Sequence, residues 1–401
     1  MAHVESPVLD YARVAAKEEA ARMRGRFFLV LTMALVGFTM SLQTGLNPNF
    51  VAQTMALSGE QQGMLEAVRE TCGITALGVL AILTGMSEPR IGVIMLTLLS
   101  IGLGAYAAVP SFGWLVMASL TWSQGFHVWA PLPGSMAMAL SDRGKEGKAM
   151  GTLGAAAAVG SACAITLALG LNLLGMTVRP MFILAGAAAL AAAFFCGRIP
   201  RDIKAPGARL IIRKRYWLYY VLQFLEGWRK QIFIAFAGFM LVKEYGTPLW
   251  LMLVLALITQ ALGWFVSPLT GRIIDRVGEK PVLLFYYSTM AVVCACYARV
   301  HHASVLYGLY VTDSVLFSCN MALTTYVGRL APREEHTATL SAGVASNHVA
   351  AVAMPLVGGV LWQMYGYQWA FYMGAVMALV ALVPVMLLDR QGREAKAAAA
   401  E

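Results

Sequence analysis

The chain has 401 residues, 59% of them hydrophobic and 13% charged, with 30 Lys and Arg against 21 Asp and Glu and a net charge of +9. Soluble domains carry about 25% charged residues, so this composition excludes an ordinary water-soluble fold and points to an integral membrane protein. The positive charge gathers in short connections between apolar runs, where it orients spanning helices and requires no nucleic acid.

In chain order, residues 1–26 mix acids and bases and end in Arg22, Arg24 and Arg26, a basic flank expected on the cytoplasmic side of a first spanning helix. The run that follows is too long for the core of a cleavable signal peptide. Apolar runs then cover roughly 27–52, 61–86, 91–109, 112–140, 147–175, 179–197, 216–242, 248–271, 281–298, 304–328, 338–364 and 367–388, which predicts twelve transmembrane helices. Alternate connections are the basic ones: Arg90; Arg143, Lys145 and Lys148; the 198–215 connection; Arg272, Arg276 and Lys280; Arg329 and Arg333. The opposite connections hold little beyond Arg179, Lys243, Glu244, Arg299, His301 and His302. This alternation predicts a multi-pass protein of the plasma (inner) membrane with both termini cytoplasmic.

The 198–215 connection carries Arg198, Arg201, Lys204, Arg209, Arg213, Lys214 and Arg215 around Pro200, Pro206 and Gly207. Positive-inside flanking accounts for that charge, with an anionic-lipid or partner site as the alternative. The connection divides the chain into an N-terminal segment 1–26, a six-helix bundle over 27–197, a basic linker 198–215, a second bundle over 216–388 and a tail 389–401. At an offset of about 189 residues Arg26 falls on Arg215, Leu140 and Arg143 fall on Leu330 and Arg333, and Phe182 falls on Phe371, as an internal duplication would require. Six cysteines, at positions 72, 163, 196, 294, 296 and 319, lie inside apolar runs without disulfide or zinc spacing and read as buried structural thiols.

The seventh run stands apart, because Gln223, Glu226, Arg229 and Lys230 share about a third of a helix circumference. An ionised side chain at the centre of a membrane helix costs roughly 2.5–3.5 kcal/mol on translocon scales, so function is the default reading for such a group. Glu226 is spaced to pair with Arg229 or Lys230, which leaves one positive charge to attract an anionic group; the bland reading is a self-neutralising structural cluster. Glu66, Arg69 and Glu70 in the second run form either an outer gate or a packing cluster. Asp313 and Asn320 mark the tenth run, Gln124 and His127 the fourth, Asn347 and His348 the eleventh, and Gln43 and Asn47 the first. Any one of these is more often a satisfied packing residue than a ligand, but spread over several helices they favour a polar cavity. Asp313 and Glu226 are the carboxylates whose proton affinity a conformational change could switch. Trp122, Trp129, Trp217 and Trp228 could wall an organic solute or anchor at the interfaces.

Met136, Met138, Met321 and His127 raise a soft-metal path, though their spacing forms no motif and no metal site or cofactor is expected. The absence of a nucleophile elbow, a phosphate-binding Gly loop or a metalloprotease signature argues against an enzyme and against an ATP-driven pump.

After the eighth run, Gly271-Arg-Ile-Ile-Asp275-Arg276-Val-Gly278-Glu-Lys280 resembles the loop signature of the major facilitator superfamily, and Gly85-Met-Ser-Glu88-Pro-Arg90-Ile-Gly92 is similar to a degraded copy of it. The resemblance covers residues 27–388. It implies an all-α fold of two pseudo-symmetric six-helix bundles around a midplane cavity, lined most directly by the first, fourth, seventh and tenth helices and exposed to alternate sides as the halves rock. It also implies that Asp275 and Arg276 act as a conformational latch, with Arg276 pairing across the halves. Two departures take weight from a proton/drug antiporter: Thr121 stands where some proton-coupled members have an arginine, and the fifth helix has Gly151, Gly154 and Gly160 but no Gly-Pro pair. The expectation is a monomeric secondary transporter of a small polar, anionic organic solute in the lipid bilayer, driven by the solute's own gradient or by protons. The competing readings are an exporter of a cationic metabolite or drug, a copper transporter, and an assembly factor that moves nothing.

Overall fold

The structure is a computed structural model that describes residues 7–142, 144–203 and 212–388. Arg143, Lys204, Pro206, Gly207, Arg209, the tail from 389 and the side chain of Arg333 lie outside the described residues.

All twelve expected spans are helical. In the first half they are α1 (Pro7–Asn49, closing in a π turn at Phe50–Thr54), α2 (Gly59–Ile82), α3 (Glu88–Ala105), α4 (Phe112–Trp129) continued by α5 (Leu132–Leu140), α6 (Glu146–Leu173) and α7 (Val178–Cys196). In the second half they are α8 (Trp217–Ile232), continued through a π turn at Phe233–Ala237 into α9 (Gly238–Lys243), then α10 (Leu249–Val277) and α11 (Glu279–Arg299). The tenth span is α12 (Ala303–Leu316), a 3-10 turn at Phe317–Asn320 and α13 (Met321–Leu330); α14 (Arg333–Tyr365) and α15 (Tyr367–Met386) complete the set.

Among the described residues, eight helices are each long and apolar enough to cross a membrane. The other four spans are the second, which carries Glu66, Arg69 and Glu70, and the fourth, seventh and tenth, whose helices are broken. Pro131 breaks the fourth between α4 and α5, since proline has no N–H for the helical ladder and clashes with the preceding turn. Irregular backbone at membrane depth is tolerated where protein or a cavity covers it, so these breaks already place the fourth, seventh and tenth spans towards the interior, and the charges do the same for the second.

Small residues let the helices of each half approach closely, the usual means of packing where lipid gives no hydrophobic drive. A Cβ at Gly37 would run into the carbonyl of Ala157, and one at Gly227 into the carbonyl of Asn347, contacts that correspond to within one residue of the repeat offset. The aromatic pairs Tyr106–Phe182 and Tyr297–Phe371 repeat too, with ring centroids 4.9 and 4.8 Å apart. So does a tie at the basic face. Arg26 donates to Asp142 at 2.7 Å and to the Leu140 carbonyl at 2.5 Å, while Arg215 pairs with Glu335, which also accepts from the Tyr216 hydroxyl at 2.7 Å. The outer surface is apolar, with Ile101, Ile183, Phe265, Val292 and Val383 all exposed, as lipid contact requires. Four of the cysteines are buried as expected, but Cys296 is half-buried and Cys163 is exposed, which corrects the reading of all six as buried thiols.

The halves meet at the face opposite the basic loops. The Asn49 amide donates to the Thr247 carbonyl at 3.0 Å, and Gln62 donates at 2.9 Å to the carbonyl of Ala235 in the π turn. Gly59 faces Trp362, and Gly63 faces Pro355 and Gly359, so α2 and α14 touch backbone to backbone. This seam continues inwards to Gly73, against which the His348 ring packs. Beyond it a Cβ at Gly78 would meet nothing within 4 Å, and Ile82 is 83% exposed. The halves are thus closed at one face and parted towards the basic one.

Candidate functional site

Where the seam ends lies a cavity of about 250 Å³. Its first-half wall comes from Met40, Gln43, Thr44, Asn47 and Pro48 of α1, Glu66, Arg69 and Glu70 of α2, and Trp122, Phe126 and His127 of α4. Phe233, Ile234, Gly238 and Tyr310 close it from the second half. The structure thus brings together Gln43, Asn47, Glu66, Arg69, Glu70 and His127 among the residues singled out by sequence.

The charged wall is organised by Arg69. Its guanidinium pairs with Glu66, lies 3.7 Å from Oε1 of Glu70 and sits 5.4 Å from the Trp122 ring centroid. Trp122 is held by its indole N–H donating to the Tyr106 hydroxyl at 3.0 Å. Ser123 donates to the Arg69 carbonyl at 3.0 Å, and the Ser123 carbonyl accepts from Nδ1 of His127 at 2.9 Å, which joins α2 to α4. The other Glu70 oxygen, Oε2, is 3.2 Å from Nδ1 of His348 on α14 and so carries the cluster across to the second half. Two buried amide atoms, Oδ1 of Asn47 and Nε2 of Gln124, have no protein partner among the described residues. The Gln124 oxygen accepts from Thr75 at 2.7 Å.

The seventh-helix stripe splits in two. Arg229, 2% exposed, donates to Glu226 at 3.0 Å and to Asp313 at 2.9 Å, and Glu226 also accepts from the Tyr286 hydroxyl at 2.9 Å. Glu226, Arg229 and Asp313 are enclosed within the second half and are not among the cavity-lining residues. Asp313 also engages the Arg229 guanidinium, so among the described residues the positive charge that spacing left without an acid is that of Lys230. Lys230 turns the other way and donates to Oδ1 of Asn347 at 2.9 Å; Asn347 in turn donates to the Gln223 carbonyl at 3.1 Å, and Gln223 donates to Tyr219 at 3.0 Å. Asn320 sits in the 3-10 turn of the tenth span, outside the cavity lining.

At the basic face, Asp275 lies 3.9 Å from Arg329 and Glu279 lies 2.9 Å from it, all within the second half. Arg276 is exposed, and among the described residues it makes no cross-half ion pair. Sequence reading missed Tyr286, Phe126, Phe233 and Tyr310, because an aromatic residue in an apolar run carries no local mark of what it faces. Gln62 did carry a signal, standing one helical turn before Glu66.

Two bundles that close at one face and part at the other around a polar cavity have the architecture on which alternating-access membrane transporters are built. The family model described as Major Facilitator Superfamily matches residues 29–324 and 219–401, and the chain belongs to that superfamily. The fold is similar to that of the nucleoside transporter NupG, at 14% identity and a TM-score of 0.73 over 92% of this chain and 98% of the other. A bacterial homolog of the human lysosomal transporter Spinster, inward-facing and occupied, matches at 14% identity and 0.69 over 92% and 97%. A D-xylose-proton symporter matches at 13% and 0.70 over 91% and 97%. No curated protein sequence matches the chain.

Proposed function

We propose that this superfamily member carries a small polar organic solute through the cavity at the end of the α2–α14 seam, in exchange for or together with protons, in a plasma (inner) membrane with its basic face and both termini cytoplasmic. The observation that carries the reading is the lining itself: Trp122, Phe126, Phe233 and Tyr310 offer flat walls, while Asn47 presents an unpaired amide oxygen. At about 250 Å³ the space is below the roughly 300–1,000 Å³ of pockets that hold drug-sized ligands, which favours a small solute. Both intramembrane arginines are engaged by carboxylates, so the pairing favours a neutral solute or one with a positive charge over the anion expected from spacing. Two structural neighbours are named for a nucleoside and for xylose, both polar and rich in hydroxyls. One observation favours an anion instead: the Lys230 ammonium meets an amide oxygen and not a carboxylate.

Proton linkage rests on a count of charges. Glu66, Arg69 and Glu70 form one cluster and Glu226, Arg229 and Asp313 another, each with an acid in excess over its arginine. An excess charge in the membrane interior is costly, and a proton taken up by either cluster removes it. Protonating Glu226 or Asp313 would also release Arg229 from one partner and allow α8 to shift against α12, which is a bistable element of the kind alternating access needs.

The test is uptake in proteoliposomes, with solutes first ranked by thermal shift across neutral, cationic and anionic panels. Asp313→Asn and Glu226→Gln should lose accumulation driven by a pH gradient while retaining counterflow. If both variants keep gradient-driven uptake, the coupling assignment is wrong; if only anions stabilise the protein, Lys230 and not the acidic wall selects the solute.

A further inference from the structure

We propose that Glu70, His127 and His348 form a binding site for a divalent transition-metal ion of the zinc class, which bridges the two halves. Each side chain offers one ligand atom, and the three atoms lie within 4.8 Å of one another. Zinc holds nitrogen and oxygen ligands at about 2.0–2.2 Å, so neighbouring ligand atoms in a tetrahedral site stand about 3.3 Å apart. Oε2 of Glu70 and Nδ1 of His348 are already 3.2 Å apart.

The supporting residues fit that task. The Ser123 carbonyl can only accept, so Nδ1 of His127 carries the hydrogen, and a neutral ring then keeps its free lone pair on Nε2. A histidine whose second nitrogen is tied to a carbonyl is the usual arrangement of a metal ligand. Glu70 divides its oxygens, Oε1 towards Arg69 and Oε2 towards His348. His348 reaches the first half only because residue 73 has no side chain, since a Cβ there would collide with the imidazole. The rings of His127 and His348 stand edge to face, 5.3 Å between centroids. A dication would offset the one excess negative charge of Glu66, Arg69 and Glu70 and leave the cluster with one positive charge. Because Glu70 and His127 also line the cavity, a fourth coordination position is open to water.

The ligands come from α2 and α4 on one side and α14 on the other, at the inner end of the seam. Occupancy therefore staples the halves in the conformation seen here. The binding test is independent of transport and uses the full-length, metal-stripped protein in detergent. Titration with Zn²⁺ should show one equivalent bound, and Co²⁺ should give visible absorption of a low-coordinate site that Zn²⁺ abolishes. His127→Gln and His348→Gln should each weaken Zn²⁺ binding about tenfold or more, Gly73→Ala should weaken it without removing a ligand, and His301→Gln with His302→Gln should leave it intact. In the unmodified protein, Zn²⁺ should protect His127 and His348 from diethyl pyrocarbonate but not His301 and His302, a readout that needs no variant to fold. The site is refuted if the protein binds no Zn²⁺ at micromolar concentration, if protection falls on His301 and His302 instead, or if affinity is unchanged in both ligand variants.

Discussion

Adding one methyl group at Gly63 should move the protein out of the conformation described here. Gly63 lies on the seam between α2 and α14, where a Cβ would sit far inside contact distance of the Pro355 carbonyl and 2.9 Å from the Cα of Gly359. Carbon atoms rest at about 3.5–4.0 Å, so Gly63→Ala forces the seam apart by about 1 Å or strains both backbones. Overpacking of this kind costs about 1–3 kcal/mol. Here the cost falls only on the state in which the seam is closed, because the two helices belong to different halves. It therefore emerges as a shift of about 5- to 150-fold in the balance between the closed-seam state and the state with that face open. A cysteine placed at Ala235, buried beneath the seam and free of native thiols elsewhere, should react with maleimide faster by that factor in Gly63→Ala. Gly227→Ala is the control, since its Cβ would strike Asn347 within one half and should lower the melting temperature without raising the labelling rate. If Gly63→Ala leaves the labelling rate unchanged while the protein stays folded, the seam is not a moving boundary.

Removing the Arg229 guanidinium by Arg229→Met leaves Glu226 and Asp313 facing one another without a cation, and breaking a buried pair this way costs about 3–5 kcal/mol. A clear drop in melting temperature in detergent is expected, partly restored by adding Asp313→Asn; an unaltered melting curve would contradict the geometry. At the basic face, hydrogen bonds from Arg26 and Lys145 hold the Asp142 carboxyl below the usual carboxylate range. A lowered folded-state value means that the tie contributes above the unfolded value of about 4 and is lost as pH falls through the folded one. Melting temperatures of Asp142→Asn and the parent should thus differ at about pH 5–8 and converge below about pH 3; a difference that disappears between about pH 6 and 7 would point to another group.

The twelve spans, the alternation of basic connections and the duplication could all be read in the sequence. Each depends on a quantity that the covalent order itself carries: the length of an apolar run, the sign of the charges between runs, the spacing of like residues. Arg26 and Arg215, paired by the repeat offset, do sit in matching ties to Asp142 and Glu335. Glu66, Arg69 and Glu70 were conspicuous as charges in an apolar run, although their spacing read as a gate or a packing cluster and not as the cavity wall they form.

Their partners were not legible. Arg229 finds Asp313 84 residues away, and Glu70 finds His348 at a distance of 278. Which charges meet depends on the rotation of each helix about its axis and on its depth relative to its neighbours, and hydropathy averages over both. Helical spacing placed Glu226, Arg229 and Lys230 on one stripe, yet packing sends Arg229 inwards to Asp313 and Lys230 sideways to Asn347. Residue order alone puts charged groups inside the membrane and names the helices that carry them. Which of those charges cancel and which face the cavity was set by the packed fold, because an ion pair forms between side chains brought within about 3 Å. That approach is governed by the small residues at Gly37, Gly63, Gly73 and Gly227, on helices far apart in the chain.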